Sequence, residues 1–343
     1  MNRLSHRALL RVATPTALAC ATLAAGCEDD SKSGVWYLGP VEAGTVDATT
    51  PPDSAPPVTL GKLAQSPCVA PVLEGKDESS IVRQVAAMQS RLIVTSSGGI
   101  DAWQIDSQGC PSAKIDAFGD KGHVAIDALS AAPLPGGRAL VATGGSTMVI
   151  DSVGKTAGTC KAGESEVKAR WLATNSEGKA LALLVRSPIG ALTTDLADPT
   201  LCGAQSIELS PVAFVVLAIG YARSGDGVVT AEQDTAYAPI GLARYDAAGT
   251  RTSSASWVAA DDPGHLCSVA GLVETDQGIV VADSLCRRVV LYDSATLQPA
   301  KEAKVEDTPR GVAFIGDAPR VVVPLTRAVA GGAQATFLIV NLQ

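Results

Sequence analysis

The chain has 343 residues, 46% of them hydrophobic and 18% charged, which supplies a large buried core and excludes wholesale disorder. Only 4% are aromatic, so Val, Ala, Leu and Ile must build that core, and the β-branched share leans towards sheet. The formal charge is −8, or −11 once residues 1–26 are set aside; with no basic cluster or basic–aromatic stripe, this argues against a nucleic-acid partner.

In chain order, the first feature is an export signal. Arg3, Arg7 and Arg11 give a positive start, Val12 to Gly26 is uncharged and apolar or small, and Leu23-Ala24-Ala25-Gly26 leads into Cys27. An apolar run of about fifteen residues is too short for a bilayer, which takes about 20, so residues 1–26 are read as a cleaved signal. The ending resembles the bacterial lipobox, although Leu23 stands one place further from the cysteine than is usual and Ala24 fills its slot. That resemblance implies lipidation of Cys27 and a membrane anchor, each buried CH₂ contributing about 0.8 kcal/mol. The alternative is cleavage near Ala19-Cys20-Ala21, which gives a soluble secreted protein.

Residues 27–64 are read as a disordered tether. Glu28-Asp29-Asp30-Ser31-Lys32-Ser33 and the Pro-rich Thr49 to Pro57 carry too little apolar surface to offset the entropy of ordering. Gly34-Val35-Trp36-Tyr37-Leu38 interrupts that composition with an apolar patch.

From about residue 65 to 343 the chain repeats. A compact apolar run recurs six times: Leu92-Ile93-Val94, Ala139-Leu140-Val141, Leu181 to Leu184, Val228-Val229, Ile279-Val280-Val281 and Val321-Val322-Val323. A second strand-like run follows each, ending at Asp106, Asp151, Asp195, Asp246, Asp293 and Asn341, with separations of 45, 44, 51, 47 and 48 residues. That period suits a four-stranded propeller blade. Turn residues such as Pro135-Gly136-Gly137, Asn175 to Gly178, Ser224 to Gly227 and Thr275 to Gly278 precede four of the compact runs, as an A–B hairpin requires. Strand B is apolar on consecutive residues, so it must be covered on both faces, and stacking of blade on blade does that. The expected fold is all-β, a six-bladed β-propeller. The sixth repeat has three strands, so Val69-Ala70-Pro71-Val72-Leu73 is expected to supply its outer strand and close the ring.

In the fifth repeat, Gly278-Ile279-Val280-Val281-Ala282-Asp283-Ser284 followed by Arg287-Arg288-Val289-Val290-Leu291-Tyr292-Asp293 resembles an NHL-type repeat. The resemblance covers about 16 residues and implies a six-bladed, NHL-like propeller; it carries no function, since enzymes, binders and scaffolds share that fold.

Six cysteines remain beyond Cys20 and Cys27, and an even number in an exported chain favours disulfides. Cys267 opens strand A of blade five and Cys286 follows its strand B, so these two are expected to pair. Cys68, Cys110, Cys160 and Cys202 allow three connectivities, Cys68–Cys110 with Cys160–Cys202 among them. No Cys-x-x-Cys, His-Glu-x-x-His, Gly-x-Ser-x-Gly or glycine-rich phosphate loop occurs, and Ser152-Val153-Gly154-Lys155 lies in a turn rather than at a helix start.

One placement bears on function. In a propeller the D–A and B–C loops emerge on one face. Here the D–A loops carry Asp120, His123, Glu164, Glu166, Asp261, Asp262, His265, Glu306, Asp307 and Arg310; B–C positions add Arg186, Glu232, Asp283 and Arg287. That face is the candidate ligand surface, around the central channel. For Asp283 the favoured role is instead to bond backbone in its own turn. No cofactor is expected, a divalent cation held by the carboxylates being the one candidate. His123 and His265 lie three blades apart, which argues against a shared metal. The function expected is an envelope-anchored monomer that binds a protein or a polymer such as a glycan; the alternative is a cation-dependent enzyme of lactonase or lyase type. The address is testable. Cys27→Ser is expected to abolish fatty-acid labelling and move the protein from the membrane pellet to the soluble fraction. Unchanged labelling would contradict the assignment.

Overall fold

The computed structural model describes residues 59–343 apart from 176, 185–188, 195–201, 212, 223–226, 237 and 317. The export signal, Cys27 and the tether through residue 58 therefore lie outside the described residues, as do Arg186 and Asp195. Beyond a four-residue helix, Glu78–Ile81, and the short 3-10 turn Pro135–Gly137, the elements are strands.

Six sheets follow one another along the chain. Their second strands are Arg91–Thr95, Ala139–Thr143, Ala180–Leu184, Val228–Gln233, Gly278–Asp283 and Arg320–Val329, which contain the six compact runs. Each hydrogen-bonds its predecessor and successor antiparallel, so strands A to C of every blade, and strand D of the first five, lie in chain order from the centre outwards. Neighbouring strands A touch all the way round, from Gln84–Met88 through Ala128–Pro133, Ala169–Thr174, Val215–Tyr221, Val269–Thr275 and Ala313–Phe314 back to the first. The fold is a six-bladed β-propeller.

The core consists of six apolar seams, one between each pair of adjacent blades. Successive residues of strand B feed opposite seams because side chains alternate across a strand. In blade five, Ile279 and Val281 pack with Trp257 and Leu242 of blade four. Val280 between them packs with Val321 and Val323 of blade six. In blade one, Leu92 and Val94 face Phe337 and Ile339 of blade six, whereas Ile93 faces Ala139 and Val141 of blade two. A run that is apolar at every position is thereby buried at every position, at about 1.5–3 kcal/mol per large side chain.

Strands C end on aspartates for a local reason. Oδ1 of Asp106 accepts from the backbone N–H of Gln108 and Cys110, both at 2.9 Å. Asp151 accepts from Val153 and Lys155 at 3.0 and 2.8 Å, and Asp246 from Ala248 and Thr250 at 3.0 and 2.9 Å. Each carboxylate holds its C–D turn closed from within. At the centre, Gly271 lets blades five and six approach: a Cβ there would stand 2.5 Å from the nitrogen of Val312.

Closure follows the expected plan with a different segment. Ala64–Pro67 is the outer strand of blade six, pairing Ala64 with Asn341 and Pro67 with Leu338. Leu73–Gly75 continues along the same strand against Ala335 to Ala333. Of the expected closing segment, Val69 to Leu73, only Leu73 pairs; Val69 to Val72 bulge out between the two paired stretches, with Val69 98% exposed. Pro71 has no N–H to donate to a ladder, which disfavours pairing there. Residues 61–63, expected to belong to the tether, are part of the domain: Gly61–Lys62 pairs parallel with the outer strand of blade five, and Leu63 is buried. Cys68–Cys110 then staples blade six to blade one, Cys160–Cys202 links blades two and three, and Cys267–Cys286 ties two loops of blade five.

The staple at the ring seam encloses a sequence separation of 42 residues, against 19 for Cys267–Cys286. By chain entropy these constrain the unfolded state by about 4 and about 3 kcal/mol. Urea unfolding of Cys68→Ser/Cys110→Ser is expected to show the larger loss. A loss below about 1 kcal/mol would mean that the seam does not depend on the staple.

Candidate functional site

The chain connectivity puts the D–A and B–C connections on one face of the ring and the A–B and C–D turns on the other. The candidate residues distribute over the first face unevenly. Asp120, His123 and Glu166 stand away from the channel. His123 belongs to a two-residue strand that pairs on the outer side of strand C of blade one, with Nδ1 3.0 Å from the Asp101 carboxylate. Asp120 bridges to it and is exposed. Glu166 lies in a short hairpin added to the outer strand of blade three, and Glu164 is in its turn. Both D–A connections detour along a sheet edge, which an unpaired outer strand invites by its free N–H and C=O groups. The expectation that these residues surround the channel is corrected accordingly.

Blades four and five bring several of the others together. Asp283 is fully buried and accepts from the backbone N–H of Cys267 (3.1 Å), Ser268 (3.0 Å) and Cys286 (3.3 Å). Arg288 stands against Asp283 at 3.5 Å and donates to the carbonyls of His265 and Pro263. Arg287 is exposed and donates to the carbonyl of Glu306 at 3.1 Å. Asp262 accepts from Ala259 N–H at 3.0 Å, inside its own loop, and Asp261 is exposed. Arg310 bonds Glu78 at 2.8 Å and Thr326 at 2.9 Å, and Glu306 and Asp307 precede it in the loop. These groups hold loops to one another and do not converge on a common point.

Glu232 forms the second cluster. Its carboxylate accepts from Thr230 at 2.7 Å, from Tyr245 at 2.9 Å and from Arg251, which also reaches Asp234 at 3.0 Å. Burial pushes the Glu232 carboxyl above its ordinary value, with Thr230, Tyr245 and Arg251 opposing. Burial pushes the Tyr245 phenol up to about 12. Burial also opposes the charge on Arg251, but Asp234, Tyr245 and Glu232 outweigh it and hold the guanidinium protonated. A hollow of about 60 Å³ opens beside this cluster, lined by Glu232, Asp234, Ser254 and Ser256 among others.

For a cation, the buried carboxylates of Asp283 and Glu232 are committed. Among the described residues, Cys267, Asp283 and Cys286 form the one group with metal-like spacing. Their sulfurs are joined to each other, and the Asp283 oxygens already accept backbone N–H groups.

Sequence reasoning missed the inner edge of this face, where each strand A begins. Arg83 pairs with Asp127 at 2.5 Å and donates to Ala128 O at 3.1 Å, linking the entries to blades one and two. Arg170 reaches the carbonyl of Val216, and Phe214, just before strand A of blade four, is 61% exposed. Inside, Gln84 donates to Leu172 O at 3.3 Å and meets Ser130, joining the first three blades. Reading the residue before each inner strand would have found Arg83, Asp127 and Phe214.

No family model matches the sequence, and no curated protein resembles it. Among solved structures, the Cps50 (Swd1) β-propeller domain of Myceliophteria thermophila covers 78% of this chain and 98% of that chain, with 13% identity and a TM-score of 0.47. The propeller assignment rests on the six sheets themselves.

Asp283→Ala would leave three backbone N–H groups without their acceptor and take from Arg288 one of its two carboxylate partners, Glu302 being the other. Chemical unfolding is expected to show a loss of about 3–5 kcal/mol, as for other broken buried pairs. A loss under about 1 kcal/mol would show that the disulfide alone holds these loops.

Proposed function

We propose that this protein is an exported, envelope-anchored propeller whose D–A and B–C face binds a protein or polymer ligand. The coarse part needs no proposal: the chain is a β-propeller with three disulfides, as suits an oxidising compartment, and no helix among the described residues is long and apolar enough to cross a membrane. The finer part is the lipid anchor at Cys27, the NHL-like kinship and the binding role.

One observation carries the reading. On this face the buried carboxylates are spent on holding loops, while apolar side chains are left outside: Phe214, Val258 and Leu285 are 61%, 79% and 74% exposed. Exposed acids accompany them, Asp234, Asp261 and Glu306. Single exposed apolar residues are ordinary, but three on one loop face with an acidic surround supply the anchors and rim of a binding surface. Among the described residues, no arrangement of free acid, base and nucleophile favours catalysis over it.

Photo-crosslinking in intact envelopes tests this directly. A crosslinker at Leu285 or Val258 is expected to give discrete adducts, and one at Val153, in a C–D turn of the opposite face, is not. Adducts from Val153 alone, or none from either face, would refute the assignment.

A further inference from the structure

Two arginines on the other face have no carboxylate partner among the described residues. Arg91 opens strand B of blade one, and Arg138 stands immediately before strand B of blade two. Arg138 is 9% exposed; its Nε donates to Pro135 O at 3.2 Å, and its buried Nη1 has no acceptor. The Arg91 guanidinium lies over the Phe118 ring at 4.7 Å, and its Nε and Nη2 are buried without acceptors. Neither guanidinium has a carboxylate within 4.0 Å among the described residues. Asp151, next in line from Arg138, gives Oδ1 to the backbone of Val153 and Lys155.

Both side chains pack on one turn. A Cβ on Gly136 would stand 4.0 Å from Nε of Arg138, and one on Gly137 would stand 3.2 Å from Nη1 of Arg91 and from Ser152 Cβ. Both glycines hold positive φ, 72° and 77°, so the turn keeps this close approach free of side chains. Burial also works against the charge of Arg91, lowering its pKa to about 10.

A buried guanidinium without a partner is costly, and its planar fork matches the two oxygens of a carboxylate, sulfate or phosphate. Three other partly buried arginines have a partner acid, Arg244 with Glu274, Arg251 with Glu232 and Arg288 with Asp283, whereas Arg170 and Arg320, each with a buried Nε left over, are held by backbone carbonyls. We infer that the seam of blades one and two, at the Pro135-Gly136-Gly137 turn, is a binding site for a small oxyanion held by Arg91 and Arg138. It is independent of the loop-face reading, since it lies on the A–B side of the ring.

The test is calorimetric titration and thermal unfolding of the full chain with sulfate, inorganic phosphate and acetate, each against chloride at equal ionic strength. At least one oxyanion is expected to bind saturably and raise the unfolding temperature above chloride. Arg138→Gln and Arg91→Gln should each weaken that binding by about tenfold or more, and the pair should abolish it. Preference for acetate would assign the site to carboxylate ligands, and preference for phosphate or sulfate to tetrahedral esters; either supports the inference. Where a glutamine variant does not fold, Arg138→Lys keeps the charge and loses the fork, and should still weaken binding. Equal behaviour in all four salts, or an oxyanion response that survives the double substitution, would overturn it.

Discussion

Everything in this molecule depends on the burial of strand B between two neighbours. A single blade cannot cover both faces of a strand such as Ile279-Val280-Val281, because its own sheet offers only edges. Blade four takes Ile279 and Val281, and blade six takes Val280. Each blade is therefore a partner twice, and the arrangement is complete only when the last meets the first. The seam between blades six and one is where that condition is met, with the outer strand of the sixth blade coming from Ala64–Pro67 and the Cys68–Cys110 staple set across it.

Much of this was legible in the sequence because the signals are local. Consecutive apolar residues in strand B report two-sided burial, and an aspartate at the end of strand C reports a turn that its carboxylate closes. Cys267 and Cys286 were legible as a pair from their positions in one hairpin. Less legible were features set by what lies across the ring. The choice of Ala64–Pro67 and Leu73–Gly75 for closure depends on where the backbone can pair, and of the five residues that hydropathy favoured only Leu73 does so. His123 and Glu166 read as loop residues, because a two-residue edge strand leaves almost no trace in composition.

The charged residues sort by the same geometry. Glu232 looked like a ligand group among the loop charges, whereas Asp283 was expected to bond backbone and does; both are buried and bind their own chain, Asp283 holding the Cys267–Cys286 loops and Glu232 anchoring Arg251 and Tyr245. Exposed groups on that face include the apolar Phe214, Val258 and Leu285 beside the acids Asp261 and Glu306, and on the other face Arg91 and Arg138 have no carboxylate partner among the described residues. An overall charge of −8 conceals this division. Any ligands are accordingly expected to differ between the faces, with apolar and basic groups on one and an oxyanion on the other.

The central claim is that six blades form one closed, cooperative ring rather than a row of separate sheets. Amide hydrogen exchange of the full chain, read by mass spectrometry, measures it most directly. The strands B of all six blades should exchange at closely similar slow rates, with Ala64–Pro67 protected as strongly as the outer strands of the other blades. Fast exchange through Ala64–Pro67, with protection falling off from blade to blade around the ring, would contradict closure.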